Sequence, residues 1–83
     1  DMILVNVFFQ ELNQDYDFQI EEQASTNLVI REMVQTIAQK EQLTVQKGEE
    51  LYLLCQKRSG TVLHPASTIA ENGVRSGDTL LLV

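Results

Sequence analysis

The sequence predicts an α+β roll in which one long helix lies across one face of a mixed sheet of four to five strands. Three observations lead there. Two strand-like segments open the chain, one Gly- and Pro-free stretch with helical spacing follows, and short apolar runs separated by Gly-containing turns fill the second half. At 83 residues and 43% hydrophobic content, the chain forms at most one small domain, spanning residues 1–83. Folding at this length buries only about 60% of the unfolded surface, so almost every apolar face must enter the core.

Each element follows in order. Residues 2–9, MILVNVFF, are dense in β-branched and aromatic residues, and Asn6 sets their phase. With Asn6 outward, Ile3, Val5 and Val7 point inward and Leu4 and Phe8 outward. After the polar turn 10–15, residues 16–20 alternate strictly, which completes a hairpin. Ser25, Thr26 and Asn27 are N-cap candidates for a helix over about 27–41, where Ile30, Met33, Val34, Ile37 and Ala38 form one apolar stripe. Residues 50–56, ELYLLCQ, read as a buried strand, 57–60 as a turn, and 61–63 as a short strand stopped at Pro65. Thr68 and Glu71 have capping-box spacing, followed by Asn72-Gly73 as a left-handed stop. Residues 79–83, TLLLV, form the last strand.

Charge and cysteine content narrow the function classes. Residues 1–30 hold six acids (Asp1, Glu11, Asp15, Asp17, Glu21, Glu22) and no Lys or Arg, and so carry the whole formal charge of −6. Such a field repels phosphate, which argues against nucleic acid and anionic membrane surfaces as partners. A basic protein surface would instead gain on-rate from it. A single Cys55 forms no intrachain disulfide, which points to a reducing, cytoplasmic setting. The apolar opening has neither the flanks of a signal peptide nor the length of a membrane span. Asp1 ahead of Met2 is set aside as a fragment edge.

The element order, the segment Thr68-Ile69-Ala70-Glu71-Asn72-Gly73-Val74 and the ending Ser76-Gly77-Asp78-Thr79-Leu80-Leu81-Leu82-Val83 resemble the β-grasp of ubiquitin-like proteins over essentially the whole chain. Within that superfamily the chain is similar to the bacterial YukD/EsaB-like proteins, which accompany the type VII (Ess) machinery that exports WXG-motif proteins. The shared features are a length near 80, the acidic hairpin, the Gly-Asp turn before the last strand, and an ending without a tail. Ubiquitin-like modifiers and sulfur carriers end in Gly-Gly, because any Cβ obstructs the channel in which the carboxylate is activated. This sequence ends in Leu82-Val83, a departure that argues against both roles.

Enzymatic chemistry lacks its parts. One His and one Cys are too few for zinc, and nothing identifiable orients His64 toward Cys55. The glycines stand singly in turns and build no phosphate cradle. Neighbouring acids such as Glu21-Glu22 and Glu49-Glu50 point apart and read as solvated charges. The expectation is a protein that is not an enzyme and needs no cofactor or metal.

Protein binding remains, and the uncovered sheet face is its candidate site. Outward positions are Leu4 and Phe8 on the first strand, Tyr52 and Leu54 on the third if Leu51 and Leu53 are core, and Leu81 and Val83 on the last if Leu80 and Leu82 are core. Asn6, Gln56, Lys57 and Arg58 would form the polar rim. No polar residue fixes the phase of Leu53-Leu54 or of Leu80-Leu81-Leu82, so the opposite reading, with half of these side chains in the core, stays open. A homodimer could also cover the face. The resemblance implies a non-conjugated adaptor of a secretion system with components of that machinery as partners. The alternatives are a docking domain of a longer membrane component or enzyme, and a truncated modifier or carrier.

Overall fold

The computed structural model describes residues 1–83. Strands β1 (Met2–Phe9) and β2 (Gln14–Glu21) form a hairpin, helix α1 runs Thr26–Glu41, and β3 (Leu54–Gln56), β4 (Thr61–Val62) and β5 (Thr79–Leu82) follow. The sheet order is β2-β1-β5-β3-β4. The β1/β5 pair is parallel and the other pairs are antiparallel. One helix thus covers one face of a mixed five-stranded sheet, as the element order requires.

Local signals explain the boundaries. Asn13 takes a left-handed φ of 55° in the hairpin turn, a conformation that Asn adopts more readily than bulkier residues. Ser25 caps α1, its hydroxyl accepting from the Leu28 amide at 3.3 Å. The orphan amides of Thr26 and Asn27 donate to the carbonyls of Ser67 and Pro65, both at 2.9 Å. Helix-end donors therefore find tertiary partners rather than water. At the other end Gln42 turns left-handed, and the Leu43 amide closes onto the Ala38 carbonyl at 3.0 Å.

The core joins Ile3, Val5, Val7 and Phe9 of β1 to Val29, Ile30, Met33, Val34 and Ile37 of α1, with Leu80 and Leu82 from β5 beneath the same helix face. Val29 belongs to the helix's buried stripe, whereas Ala38 is only half buried. The capping box at residues 68–71 is present: the Thr68 amide donates to Glu71 Oε1 at 2.8 Å and the Glu71 amide to Thr68 Oγ1 at 3.0 Å. Gly73 follows with a φ of 76°. Between them Asn72 acts as a joint. Its Oδ1 accepts from the His64 amide, and its Nδ2 reaches Thr26 Oγ1 and the carbonyls of His64 and Thr68 at 2.9–3.1 Å. That one side chain ties the turn to the start of α1.

The stretch read as a seven-residue third strand differs. Glu49–Leu51 wind into a 3₁₀ turn, and β3 itself covers only Leu54–Gln56. From Leu51 to Gln56 the side chains alternate without a break. Tyr52 and Leu54 go into the core, 2% and 0% exposed, while Leu51 and Leu53 point out at 61% and 38%. Tyr52 is held there at both ends. Its ring packs against Phe9 with centroids 5.8 Å apart, and its hydroxyl donates to Glu11 Oε1 at 2.6 Å. Burial and the Glu11 carboxylate push the phenol up to about 12.

Gln56 is also buried, at 4% exposure, and lies beneath the sheet rather than on its rim. Its Nε2 donates to the Gly73 carbonyl at 3.1 Å and to Asp78 Oδ2 at 3.0 Å. Arg58 completes this joint, with Nη2 3.1 Å from both Asp78 Oδ2 and the Gly73 carbonyl, and Nε 3.3 Å from Asp78 Oδ1. The Arg75 amide adds a fourth donor to the carboxylate at 2.9 Å. Arg58, followed by the other donors, draws the Asp78 carboxyl down to about 2.

Candidate protein-docking face

The strand register lays out the open face row by row. Facing residues share a level, and every second residue along a strand points the same way. One level holds Asp17, Asn6 and Thr79, which are successive partners across β2, β1 and β5, and Lys57 extends it, its amide donating to the Thr79 carbonyl at 3.1 Å. The next outward level holds Asp15, Phe8, Leu81, Cys55 and Val62, in one line across all five strands. Above it, Leu53 and Val83 exchange backbone hydrogen bonds of 2.7 and 2.9 Å.

This gives a contiguous patch of Phe8, Leu81, Cys55, Val62, Leu53 and Val83, each exposed or half-buried. Leu4 is outward and 50% exposed, but the polar row through Asn6 and Thr79 separates it from the patch. Of the six residues expected on this face, Leu4, Phe8, Leu81 and Val83 point outward. Tyr52 and Leu54 do not, and Leu53 and Cys55 take their places with Val62 beside them. Nothing in the uniformly apolar run Leu51–Leu54 fixes its phase. Of the expected rim, Asn6 and Lys57 lie on the face, Gln56 is buried, and Arg58 is anchored to Asp78.

Comparison with known proteins identifies the architecture. No family model matches the chain, and no curated protein matches it. Among solved structures, the ubiquitin-like domain of EccD5 from Mycobacterium xenopi is 19% identical at a TM-score of 0.73, over 100% of this chain and 93% of that one. The fold is the ubiquitin-like β-grasp. A chain of a toluene 4-monooxygenase complex carries the same β-grasp at a TM-score of 0.79 and 18% identity, over 100% of this chain and 98% of that one. A chain of the MycP5-free ESX-5 inner membrane complex does so at 0.72 and 16% identity; this chain covers only 20% of it. Identities this low establish the fold alone.

Within this β-grasp no hydrogen bond joins the Cys55 thiol to His64. Cys55 pairs with Val62 rather than with His64, and lies half-buried in the apolar row. The His64 amide and carbonyl are both engaged by Asn72. No three of His, Cys, Asp and Glu come together as metal ligands, and no helix is long and apolar enough to cross a membrane. What the ubiquitin-like sheet offers is a surface: apolar across β1, β5, β3 and β4, acidic along β2, and bounded below by a polar row.

Proposed function

We propose that this ubiquitin-like chain is a non-enzymatic interaction module that acts by protein contact through its open sheet face, as an accessory component of a bacterial type VII-like (WXG-protein) secretion system. The observation that carries the reading is the contiguous apolar row Phe8–Leu81–Cys55–Val62, flanked by Leu53 and Val83 and left uncovered by any element of the chain. Apolar groups aligned across four strands of so small a domain are a feature of docking surfaces. The resemblance to YukD/EsaB-like proteins and the shared fold of EccD5 and an ESX-5 complex chain support the secretion setting, with cytoplasmic residence and machinery components as partners.

A second reading has its own support. The chain corresponds to a fifth of the ESX-5 component it resembles, which favours a docking domain within a longer membrane component. One experiment separates these readings and tests both. A photo-crosslinking residue at Leu81, with Gln39 on the exposed side of α1 as control, should yield a position-specific adduct with a secretion-machinery protein in cells. Substitution Leu81→Asp should abolish that adduct while leaving the fold. Adducts equal at both positions, or unaltered by the substitution, overturn the docking face. If a longer protein carries this domain, its adduct is intramolecular.

A further inference from the structure

We infer that the partner presents an amphipathic helix laid across the strands, its apolar stripe on Phe8–Leu81–Cys55–Val62 and its Lys- or Arg-bearing end over β2; this rests on the docking reading above. Shape is the first ground. Three interstrand spacings make the row about 14 Å long, the rise of about nine helical residues, so residues at i, i+3 or i+4, and i+7 match it. The second ground is hydrogen bonding. Backbone groups in the middle of this face are already paired within the sheet, so an extended segment laid on it would leave its own amides and carbonyls unmet. A helix brings its own satisfied.

Charge sets the direction. The outward column of β2 is Asp15, Asp17, Gln19 and Glu21, with no base among them. The chain's ion pairs join the N-terminal ammonium to Glu21, Arg31 to Glu49, and Arg58 to Asp78, so Asp15 and Asp17 have no cationic partner. Asp15 adjoins Phe8 at the end of the apolar row, and Asp17, which accepts from Asn6 Nδ2 at 3.2 Å, adjoins the polar row. Their Cα atoms stand about 7 Å apart along β2, across the axis of the helix, so two long cationic side chains that splay to either side of its end reach one carboxylate each. Lys57 at the far side of the polar row opposes the reversed orientation.

The test uses two stapled helical peptides of about fourteen residues, identical in their Leu stripe and carrying either two Lys or two Glu at one end. Each is titrated into the isotopically labelled protein and followed by amide chemical shifts. The Lys peptide should shift Asp15, Phe8, Leu81 and Val62 and bind about tenfold tighter than the Glu peptide at low salt, with the margin shrinking as salt rises. The margin should vanish in Asp15→Asn/Asp17→Asn, whose exposed positions leave the fold intact. Equal affinity of both peptides for the patch overturns the charge assignment and leaves the docking face standing. Shifts confined to other surfaces, or none, overturn both. Concentration-dependent shifts of the patch without peptide assign it to a second copy and overturn the inference.

Discussion

Replacing Asp78 by Asn removes the charge on which the turn after Gly73 and the end of β3 converge. In the folded chain the carboxylate receives Arg58, Gln56 and the Arg75 amide at 2.9–3.3 Å and is only 10% exposed. Its pKa falls from 3.8 to about 2, with the Arg58 hydrogen bonds as the largest cause. Each tenfold change in proton affinity is worth about 1.4 kcal/mol, so the folded state gains about 2 kcal/mol from this group when ionised. Because the folded pKa is depressed, that stabilisation is present above pH 4 and lost as pH falls through about 2. Urea unfolding followed by circular dichroism should therefore place Asp78→Asn about 2 kcal/mol below the parent at pH 7, with the gap closing toward pH 2. A gap under about 0.5 kcal/mol at pH 7, within the range of an exposed pair, refutes the reasoning. So does a gap that does not change with pH.

Other expectations follow from the same geometry. Leu54→Ala opens a cavity in a fully buried site and should cost about 2–5 kcal/mol, whereas Leu53→Ala on the open face should cost under about 1 kcal/mol; comparable denaturation midpoints would contradict the observed phase. Asn72→Ala strands the His64 amide and loosens Thr26, for a loss of about 2 kcal/mol and faster amide exchange in the first turn of α1. In an alkaline ultraviolet titration neither tyrosine should ionise at 10: Tyr52 is pushed up to about 12, and Tyr16, whose buried hydroxyl has no hydrogen-bond partner, is raised by burial and then by the Glu41 charge. The unfolded chain ionises first, so stability should fall from pH 10 as pH rises through about 12. Tyr52→Phe should shrink that alkaline loss.

The architecture was legible wherever a polar residue marked the phase. Asn6 oriented β1, strict alternation oriented β2, and the spacing in Ile30–Ile37 placed α1 on the sheet. The Thr68–Glu71 box could be read directly because its two hydrogen bonds are local. The candidate face was half legible. Leu4 and Phe8 lie on a strand whose phase Asn6 marks, but neither the run Leu51–Leu54 nor Leu80–Leu82 contains a polar marker, and Tyr52 is held inward by Phe9 and Glu11, partners remote in sequence. Gln56 misleads for the opposite reason. A polar residue at a strand end reads as solvent-facing, and its burial is stabilised by Asp78 and the Gly73 carbonyl, remote partners that spacing does not reveal, together with the nearby Ser59 hydroxyl. The break between Leu4 and the apolar row is likewise a property of register, visible only once Asn6 stands beside Thr79.

The parallel seam between β1 and β5 sets the order in which the molecule can be completed. The first and last strands of the fold lie side by side, with β5 at the centre of the five. The hairpin and α1 are local and form early, but most of the sheet is long-range in sequence. While synthesis has yet to reach Thr79, β1 and the β3–β4 hairpin face an empty slot, each with an unpaired edge. The final strand therefore acts as a keystone, and the nascent chain is most exposed to wrong pairing in the interval just before it arrives.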